Sequence, residues 1–260
     1  MVNYTFSLAN FEYFLLILVR IASFIFAAPF FSLPNVPRRV KIAFSCFLAI
    51  MVTTLLHPEN TTSYSSVIGY AAIVIKEATT GLLIGFVANI CSNIIIFSGN
   101  VIDMDIGLSM ATEFDPSMKT SVTLTGQMYY YFLNMMLIVT GMYQYVIRAV
   151  MDSFTSIPVG GAIIRPDNLL HSMISFMSNM FIISFRIILP VFACTMILNV
   201  VLGVIAKVAP QMNMFSVGIQ MKMLLGFGIL LLTTFLFPHA ADMIFTEMRQ
   251  MTISVIRGMS

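Results

Sequence analysis

Charged side chains are scarce in this sequence of 260 residues, in which 13 residues are Lys or Arg and 11 are Asp or Glu. The charged fraction is therefore 9%, whereas soluble globular proteins carry about 25%. Hydrophobic residues make up 59% of the chain, which leaves too few polar side chains to cover the surface of a soluble fold. These proportions exclude a soluble globular protein.

Cysteine, glycine and proline are also scarce. The three cysteines are odd in number, lie inside apolar runs and have no Cys-x-x-Cys spacing, so they predict neither a disulfide framework nor a metal site. With 14 Gly and 10 Pro, the chain is neither collagen-like nor of low complexity. A net charge of +2 without a long basic cluster argues against nucleic acid as a partner. We expect no metal and no cofactor.

Sequence motifs of enzymes are missing. The chain has no HExxH, GxSxG, Walker A or GxGxxG motif, and its three histidines are isolated. Asp103 and Asp105 are two residues apart, so on a helix they would not share a face and would make a poor carboxylate pair. The sequence therefore predicts no catalytic residue and a protein that is not an enzyme.

Long apolar runs dominate what is present. Six runs cover residues 11–31, 42–56, 67–98, 122–147, 169–206 and 214–238, which predicts an all-α membrane protein of about six long hydrophobic helices or helical hairpins. As a helix, the second run would reach only about 22 Å and the third about 48 Å, whereas the hydrocarbon core of a bilayer is about 30 Å thick. These unequal lengths indicate one part of a larger helical, hetero-oligomeric assembly.

The tail that follows these runs, residues 239–260, is less hydrophobic. Its apolar residues recur at helical spacing, with Glu247, Arg249, Gln250 and Ser254 mostly on the opposite side. This pattern predicts an amphipathic helix that either packs on a partner or lies at an interface. The predicted apolar face consists of Ile244, Phe245, Met248, Met251, Thr252 and Val255.

Five charged residues lie inside the apolar runs. Each would cost several kcal/mol if it faced lipid, so each should face protein, water or an opposite charge. Because four are basic and one is acidic, the chain cannot balance them by itself. Either some of them reach the membrane surface along their own stems, or other subunits supply carboxylates. The five residues are Arg20, Lys76, Glu77, Arg186 and Lys222.

Small residues form a stripe along the third run. Gly81, Gly85, Ala88, Ser92 and Gly99 follow one another at spacings of four, three, four and seven residues, which keeps one helix face small. Gly81 with Gly85 forms a GxxxG motif. Such a face lets another helix approach closely. The sequence favours neither of two partners for this face, a helix of the same chain or a helix of another subunit.

The segment between the third and fourth runs, residues 99–121, mixes acidic residues with methionines and a phenylalanine. Irregular backbone at membrane depth is tolerated only where it is buried in protein or lines a cavity. The segment is therefore either a plug or gasket in a pore or a plain cytoplasmic loop with some apolar contacts.

Several ordered motifs along the chain resemble the FliR/SctT family of type III secretion export-gate subunits. They favour the flagellar FliR branch over SctT, the homologous subunit of virulence injectisomes. The motifs are Val36-Pro37-Arg38-Arg39-Val40-Lys41, Gly107-Leu108-Ser109-Met110-Ala111-Thr112 followed by Asp115-Pro116, Ile157-Pro158-Val159-Gly160, and Ala209-Pro210-Gln211-Met212-Asn213-Met214-Phe215.

The resemblance implies a core subunit of the flagellar protein export gate in the bacterial inner membrane, within the basal body. With FliP and FliQ it would form the channel for unfolded flagellar substrates, and FlhB and FlhA would be further partners. The 260 residues would form one domain, of which 1–168 resemble FliP, 169–238 resemble a FliQ hairpin and 239–260 form the tail.

In the same family, the loop between the third and fourth runs plugs the closed pore. The residues that would seal or shape it here are Met104, Gly107, Met110, Phe114, Asp115, Pro116 and Met118. Two other hypotheses stay open. The chain could be a transporter or channel subunit for ions or small solutes, with Lys76, Glu77 and Arg186 on the path. It could also be a scaffold that never touches an export substrate.

Overall fold

The computed structural model describes residues 8–29, 31, 36–55, 66–109, 123–163, 166–211 and 213–260. Throughout these ranges the regular structure is helical, which confirms the predicted all-α fold. The helices are α1 (Leu8–Ala27), α2 (Arg38–Leu55), α3 (Val67–Ile106), α4 (Leu124–Val139), α5 (Met142–Ser156), α6 (Pro166–Val208), α7 (Met214–Thr233), a short 3-10 turn (Thr234–Leu236) and α8 (Phe237–Met259).

Four helical stretches are long and apolar enough to cross a membrane. Their outward side chains are mainly large and hydrophobic, as on α6, where Phe185, Leu189 and Ile197 are exposed. An exposed apolar surface of this kind is stable in lipid or against other apolar helices. The chain is therefore an all-α membrane protein. The four stretches are Asn10–Ala27, Val67–Ile106, Leu169–Val208 and Ser216–Met259.

The third helix is longer than the sequence pattern predicted. We expected it to end at Ser98 and a loop to begin at Gly99, whereas α3 continues to Ile106. At 1.5 Å per residue its 40 residues extend over about 60 Å. The polar residues of its last turns suggested a loop, but Asp103 is fully buried and hydrogen-bonded. The helix continues through Asp103 because this side chain has a hydrogen-bond partner in the fold, although its polarity alone suggested a loop.

The fourth apolar run is divided into two helices. We expected one helix over 122–147, but α4 ends at Val139 and α5 begins at Met142. Gly141 adopts a φ of 69° between them, a left-handed conformation that favours glycine. The polar segment predicted from Arg148 onwards is also helical as far as Ser156, because its residues alternate between exposed and buried positions at helical spacing.

The described chain forms two compact units. Unit 1 comprises residues 1–90, 141–176 and 248–260, and unit 2 comprises 91–140 and 177–247. The division into FliP-like, FliQ-like and tail parts concerns likeness to other subunits and stays a prediction.

Helix α1 contributes an apolar face to the core of unit 1. Leu16, Ile17, Ile21 and Phe24 of this helix are fully buried, and their three- and four-residue spacing gives α1 one apolar inner face. The last turns of α8 complete the unit, since the backbone N–H of Ile163 donates to the carbonyl of Met259 at 3.0 Å.

Unit 2 is built around the last turns of α3. Ile94, Ile95, Ile102 and Ile106 are buried there, as are residues of α4, α6 and α8. Tyr129 of α4 contacts Phe237 at the start of α8, with ring centroids 5.4 Å apart. These contacts hold the end of α3 and the beginning of α4 in a packed environment.

The amphipathic pattern of the tail is confirmed. Every residue of the predicted apolar face of α8 is buried, whereas Arg249 and Gln250 are exposed and Glu247 and Ser254 are half-buried. The structure buries this face within the chain itself, whereas the sequence pattern suggested a partner or an interface. Burial of these side chains removes apolar area from solvent at about 25 cal/mol per Å².

Candidate functional site

An ion pair between α1 and α3 lies at the centre of unit 1. Arg20 and Glu77 are both 0% exposed, and Arg20 Nε donates to Glu77 Oε2 at 2.5 Å while Nη2 donates to Oε1 at 3.0 Å. A bidentate pair of this geometry is among the stronger hydrogen-bonded contacts in proteins. Full burial also means that neither charge is stable without the other.

The remaining polar atoms of this pair bind the turn that follows α5. Arg20 Nη1 donates to the carbonyl of Ile157 at 3.0 Å, and Glu77 Oε1 accepts from the backbone N–H of Gly160 at 2.8 Å. The guanidinium also lies 4.2 Å from the centroid of the Phe154 ring, a favourable cation–π distance. One ion pair therefore fixes α1, α3 and the turn at 157–160 together.

This arrangement concerns two of the five charged residues inside the apolar runs. We expected each of the five to face protein, water or an opposite charge, and Arg20 and Glu77 face each other within the chain. The surplus of basic groups is left to the other three. Lys76 and Arg186 are exposed and Lys222 is half-buried, and within the described ranges none of these three takes part in an ion pair. A role for these three residues in subunit contacts stays a prediction.

The glycine stripe packs against α1. A Cβ on Gly85 would lie 2.7 Å from the carbonyl oxygen of Phe24, and one on Gly81 would collide with the carbonyl oxygen of Arg20 and with Ser23 Oγ. Ala88 and Ser92 are buried as well. For Gly81 and Gly85, the partner is thus a helix of the same chain. Because Gly81 is one turn from Glu77, this close approach also brings Arg20 within reach of the carboxylate.

A second polar cluster, in unit 2, joins the end of α3 to the start of α4. The Asp103 carboxylate is fully buried, accepts from the backbone N–H of Thr125 at 2.8 Å and also accepts from the Thr125 hydroxyl. Thr125 is the second residue of α4, so its N–H has no acceptor within that helix. Asp103 therefore caps α4 from another helix, with its negative charge at the positive end of the helix dipole.

Two further contacts reinforce this junction. Thr123 Oγ1 donates to Asn100 Oδ1 at 2.7 Å. A Cβ on Gly99 would collide with the Cα of Gly126, and one on Gly126 would lie 2.8 Å from Asn100 Oδ1, so both positions are tightly packed. We call the six residues the loop stem, because they hold together both ends of the segment 107–122. They are Gly99, Asn100 and Asp103 of α3, with Thr123, Thr125 and Gly126 at the start of α4.

Asp105 contacts a different helix from Asp103. Its carboxylate accepts from the hydroxyl of Thr195 on α6. The prediction that two aspartates two residues apart do not act as a pair is confirmed. Next to Asp105, Ile106 fills the space over Gly226 of α7, where a Cβ would lie 2.7 Å from its side chain. The end of α3 is thus fixed to α4, α6 and α7.

Two of the predicted plug residues lie among the described residues. Met104 is on the last turn of α3 and is 69% exposed, and so belongs to a helix instead of the predicted loop. Gly107 follows the helix with a φ of 93°, a conformation that favours glycine at a helix end. The remaining predicted plug residues lie outside the described residues; they are Met110, Phe114, Asp115, Pro116 and Met118.

Apart from Gly99, which belongs to the small-residue stripe, the sequence pattern missed the residues that build the loop stem. Asp103 is three residues after Asn100 and four after Gly99, so it is a neighbour of both on the helix surface. Thr123 and Thr125 come just before an apolar run, where a helix N-terminus is expected. Read together, these two local patterns would have indicated a helix end facing a helix start. In the described ranges, no group of three or more His, Cys, Asp or Glu could hold a metal ion.

The fold and its buried polar clusters define a helical membrane protein whose apolar surface suits lipid or other helices. The family described as "Bacterial export proteins, family 1" matches residues 11–248. The chain belongs to this family of bacterial export proteins.

Curated relatives from distant bacteria support the same assignment. The chain is 28% identical over 223 residues to the flagellar biosynthetic protein FliR of Bacillus subtilis (strain 168), with 85% of each chain covered. It is 23% identical over 241 residues to FliR of Escherichia coli (strain K12), covering 92% of this chain and 90% of the relative. FliR of Buchnera aphidicola subsp. Acyrthosiphon pisum is 28% identical over 225 residues, covering 85% and 83%. The resemblance to the FliR family is confirmed.

Proposed function

We propose that this chain is a core subunit of the flagellar type III export gate of the bacterial inner membrane and basal body. With FliP and FliQ it forms the channel through which unfolded flagellar substrates cross the membrane, and FlhB and FlhA act with it. The observation that carries this proposal is the family match over residues 11–248 together with relatives that bear the flagellar name. That name also favours the flagellar gate over the injectisome gate.

The segment 107–122 closes the channel in this proposal. Its support is the loop stem, which holds the two ends of the segment together on a buried base of hydrogen bonds. These hydrogen bonds hold the ends of α3 and α4 to each other independently of the segment between them. Methionine and phenylalanine side chains exclude water by apolar contact and adapt to varied substrates, and the segment contains Met110, Phe114 and Met118.

The experiment for the assembly is co-expression of this chain with FliP and FliQ from the same organism, with one affinity tag on this chain. We expect native mass spectrometry of the extracted material to give one discrete complex that contains all three proteins. A stable particle of this chain alone, in cells that also make FliP and FliQ, would contradict the proposal. Solute flux through liposomes that contain this chain alone would then favour the transporter hypothesis.

Crosslinking separates a channel subunit from a scaffold. A photoreactive residue at position 110 or 114 should trap a stalled export substrate, because both positions belong to the proposed plug. A matched photoreactive residue at position 250, on the exposed face of α8, should trap none. If neither plug position traps substrate in cells that export normally, the chain is a scaffold.

A further inference from the structure

A groove in unit 2 lies between α6 and the beginning of α8. One part has a volume of about 490 Å³ and is lined by polar residues of both helices. An adjoining part has a volume of about 290 Å³ and is mainly apolar. Arg186, His239 and Met243 line both parts, so the two form one continuous groove. Volumes of this size are typical of small-molecule sites.

The polar part holds opposite charges that do not neutralise each other. Arg186 stands on one side, and Asp242 and Glu247 stand on the other. Within the described ranges, Arg186 forms no ion pair with either carboxylate, whereas Glu247 Oε1 accepts from Asn179 Nδ2 at 2.9 Å. Arg186 and Asp242 are both exposed. A ligand that carries a negative and a positive group side by side complements this arrangement better than a simple anion, which Asp242 and Glu247 would repel.

The apolar part continues from Arg186 towards hydrophobic side chains. Ile187, Pro190, Leu236 and Phe237 line it. Tyr129, Thr233 and His239 line it as well, but the run of apolar side chains accommodates a hydrocarbon chain. The groove as a whole therefore has a charged end and an apolar end.

Arg186 divides the apolar stretch Leu169–Val208 of α6 into two parts, of which the second is long enough to cross a bilayer. No charged residue occurs between Arg186 and Lys207, and the intervening 187–206 segment is apolar. These residues form one helix that rises about 30 Å, which equals the thickness of the hydrocarbon core. Leu189, Ile197 and Val204 of this segment are exposed. The charged end of the groove thus lies at headgroup depth when this segment crosses the bilayer.

We propose that the groove binds a zwitterionic phospholipid whose headgroup carries a primary ammonium. The lipid phosphate contacts Arg186, the ammonium donates to Asp242, and the first part of an acyl chain lies against Ile187 and Phe237. This inference does not depend on the export proposal, because it concerns only the charge pattern and depth of one surface of unit 2.

The test measures lipid retention by native mass spectrometry on the purified full chain in detergent. Phosphatidylethanolamine, phosphatidylcholine and phosphatidylglycerol are added separately at equal concentrations. We expect phosphatidylethanolamine to be retained at about tenfold lower concentration than the other two, because only it places a hydrogen-bonding ammonium beside a phosphate. Equal retention of the three lipids would overturn the proposal.

Two variants test the contacts separately. Arg186→Gln should weaken retention of all three lipids, since each carries a phosphate, whereas Asp242→Asn should remove the preference for phosphatidylethanolamine. Lys76→Gln is the matched control, because it also removes an exposed cation from an apolar helix but lies in unit 1. It should leave retention unchanged. All three positions are exposed, and circular dichroism with size-exclusion chromatography verifies that each variant folds.

One further outcome identifies a different occupant. If no lipid is retained by the groove, and Arg186→Gln instead reduces co-purification of FliP or FliQ, the groove is a contact for another subunit and the lipid proposal is wrong. If the unsubstituted chain does not form the complex with FliP and FliQ, only the export proposal is contradicted. The lipid proposal is unaffected, because lipid retention is measured on the purified chain by itself.

Discussion

Arg20 and Glu77, 57 positions apart in the sequence, form a bidentate ion pair with no exposure to solvent. The pair also binds the backbone of the turn after α5, through the carbonyl of Ile157 and the N–H of Gly160. Each of these charges would be unstable on a lipid-facing helix surface. Paired with each other, they form the contact that joins α1, α3 and the turn after α5 in unit 1. This contact makes the chain sensitive to the loss of either charge.

Removal of one charge from this pair should destabilise the protein strongly. For Glu77→Gln we expect a loss of about 3–5 kcal/mol in the free energy of unfolding, because the Arg20 guanidinium stays buried without its counter-charge. Thermal unfolding of the purified chain in detergent measures the effect. The adjacent exposed residue supplies the control, since Lys76→Gln should change the unfolding temperature little.

A double variant distinguishes the pair from the packing around it. Arg20→Met with Glu77→Met should be less destabilising than Glu77→Gln alone, because no buried charge is left unpaired. A double variant that is less stable than the single one would mean that the hydrogen bonds to the turn at 157–160 outweigh the ion pair.

The close approach of α1 to α3 predicts a graded response to glycine substitution. Gly81→Ala should destabilise the chain by at least about 1–3 kcal/mol, since its Cβ would meet backbone and could be accommodated only by moving a helix. Gly203→Ala in α6 is the matched control, because nothing lies within 4 Å of its Cβ position. It should be neutral or stabilise by about 0.5–1 kcal/mol. Equal unfolding temperatures for the two variants would rule out the close contact.

Loss of the buried cap should loosen the start of α4. In Asp103→Ala the N–H of Thr125 has no acceptor, at a cost of about 1–3 kcal/mol. Hydrogen exchange of the amides at 123–127 should accelerate in this variant. Asp105→Ala removes a carboxylate that binds Thr195 of α6 instead, so exchange at these amides should stay as in the unsubstituted protein. Unchanged exchange in Asp103→Ala would show that the cap does not hold α4.

The plug proposal predicts an ion leak. Replacement of residues 110–121 by a Gly/Ser segment of equal length keeps α3, Ile106 and the loop stem intact and removes the apolar side chains. We expect the closed complex with FliP and FliQ to conduct ions after this replacement, as measured in planar bilayers. A complex of the same composition that remains as impermeable as the unsubstituted one would refute the plug.

Local patterns predicted those features whose cause is local. Hydropathy predicted the membrane helices, and every residue that helical spacing placed on the inner face of α8 is buried. The same reasoning placed the end of α3 at Ser98 and missed the break at Gly141, because a polar residue in a helix and a glycine in a turn both depend on what surrounds them. Asp103 illustrates this dependence, since its sole described side-chain partner is Thr125, on the helix that follows the segment 107–122.

The sequence alone determined that this chain is helical, that it belongs in a membrane and that one face of its tail is buried, since each follows from composition or from the period of one helix. Tertiary structure decided which charges are satisfied within the chain. Arg20 meets Glu77 while Lys76, one residue away, is exposed, and no local pattern distinguishes the two neighbours. The physical reason is that burial of a charge depends on a partner brought from a distant helix, here by the close approach that Gly81 allows.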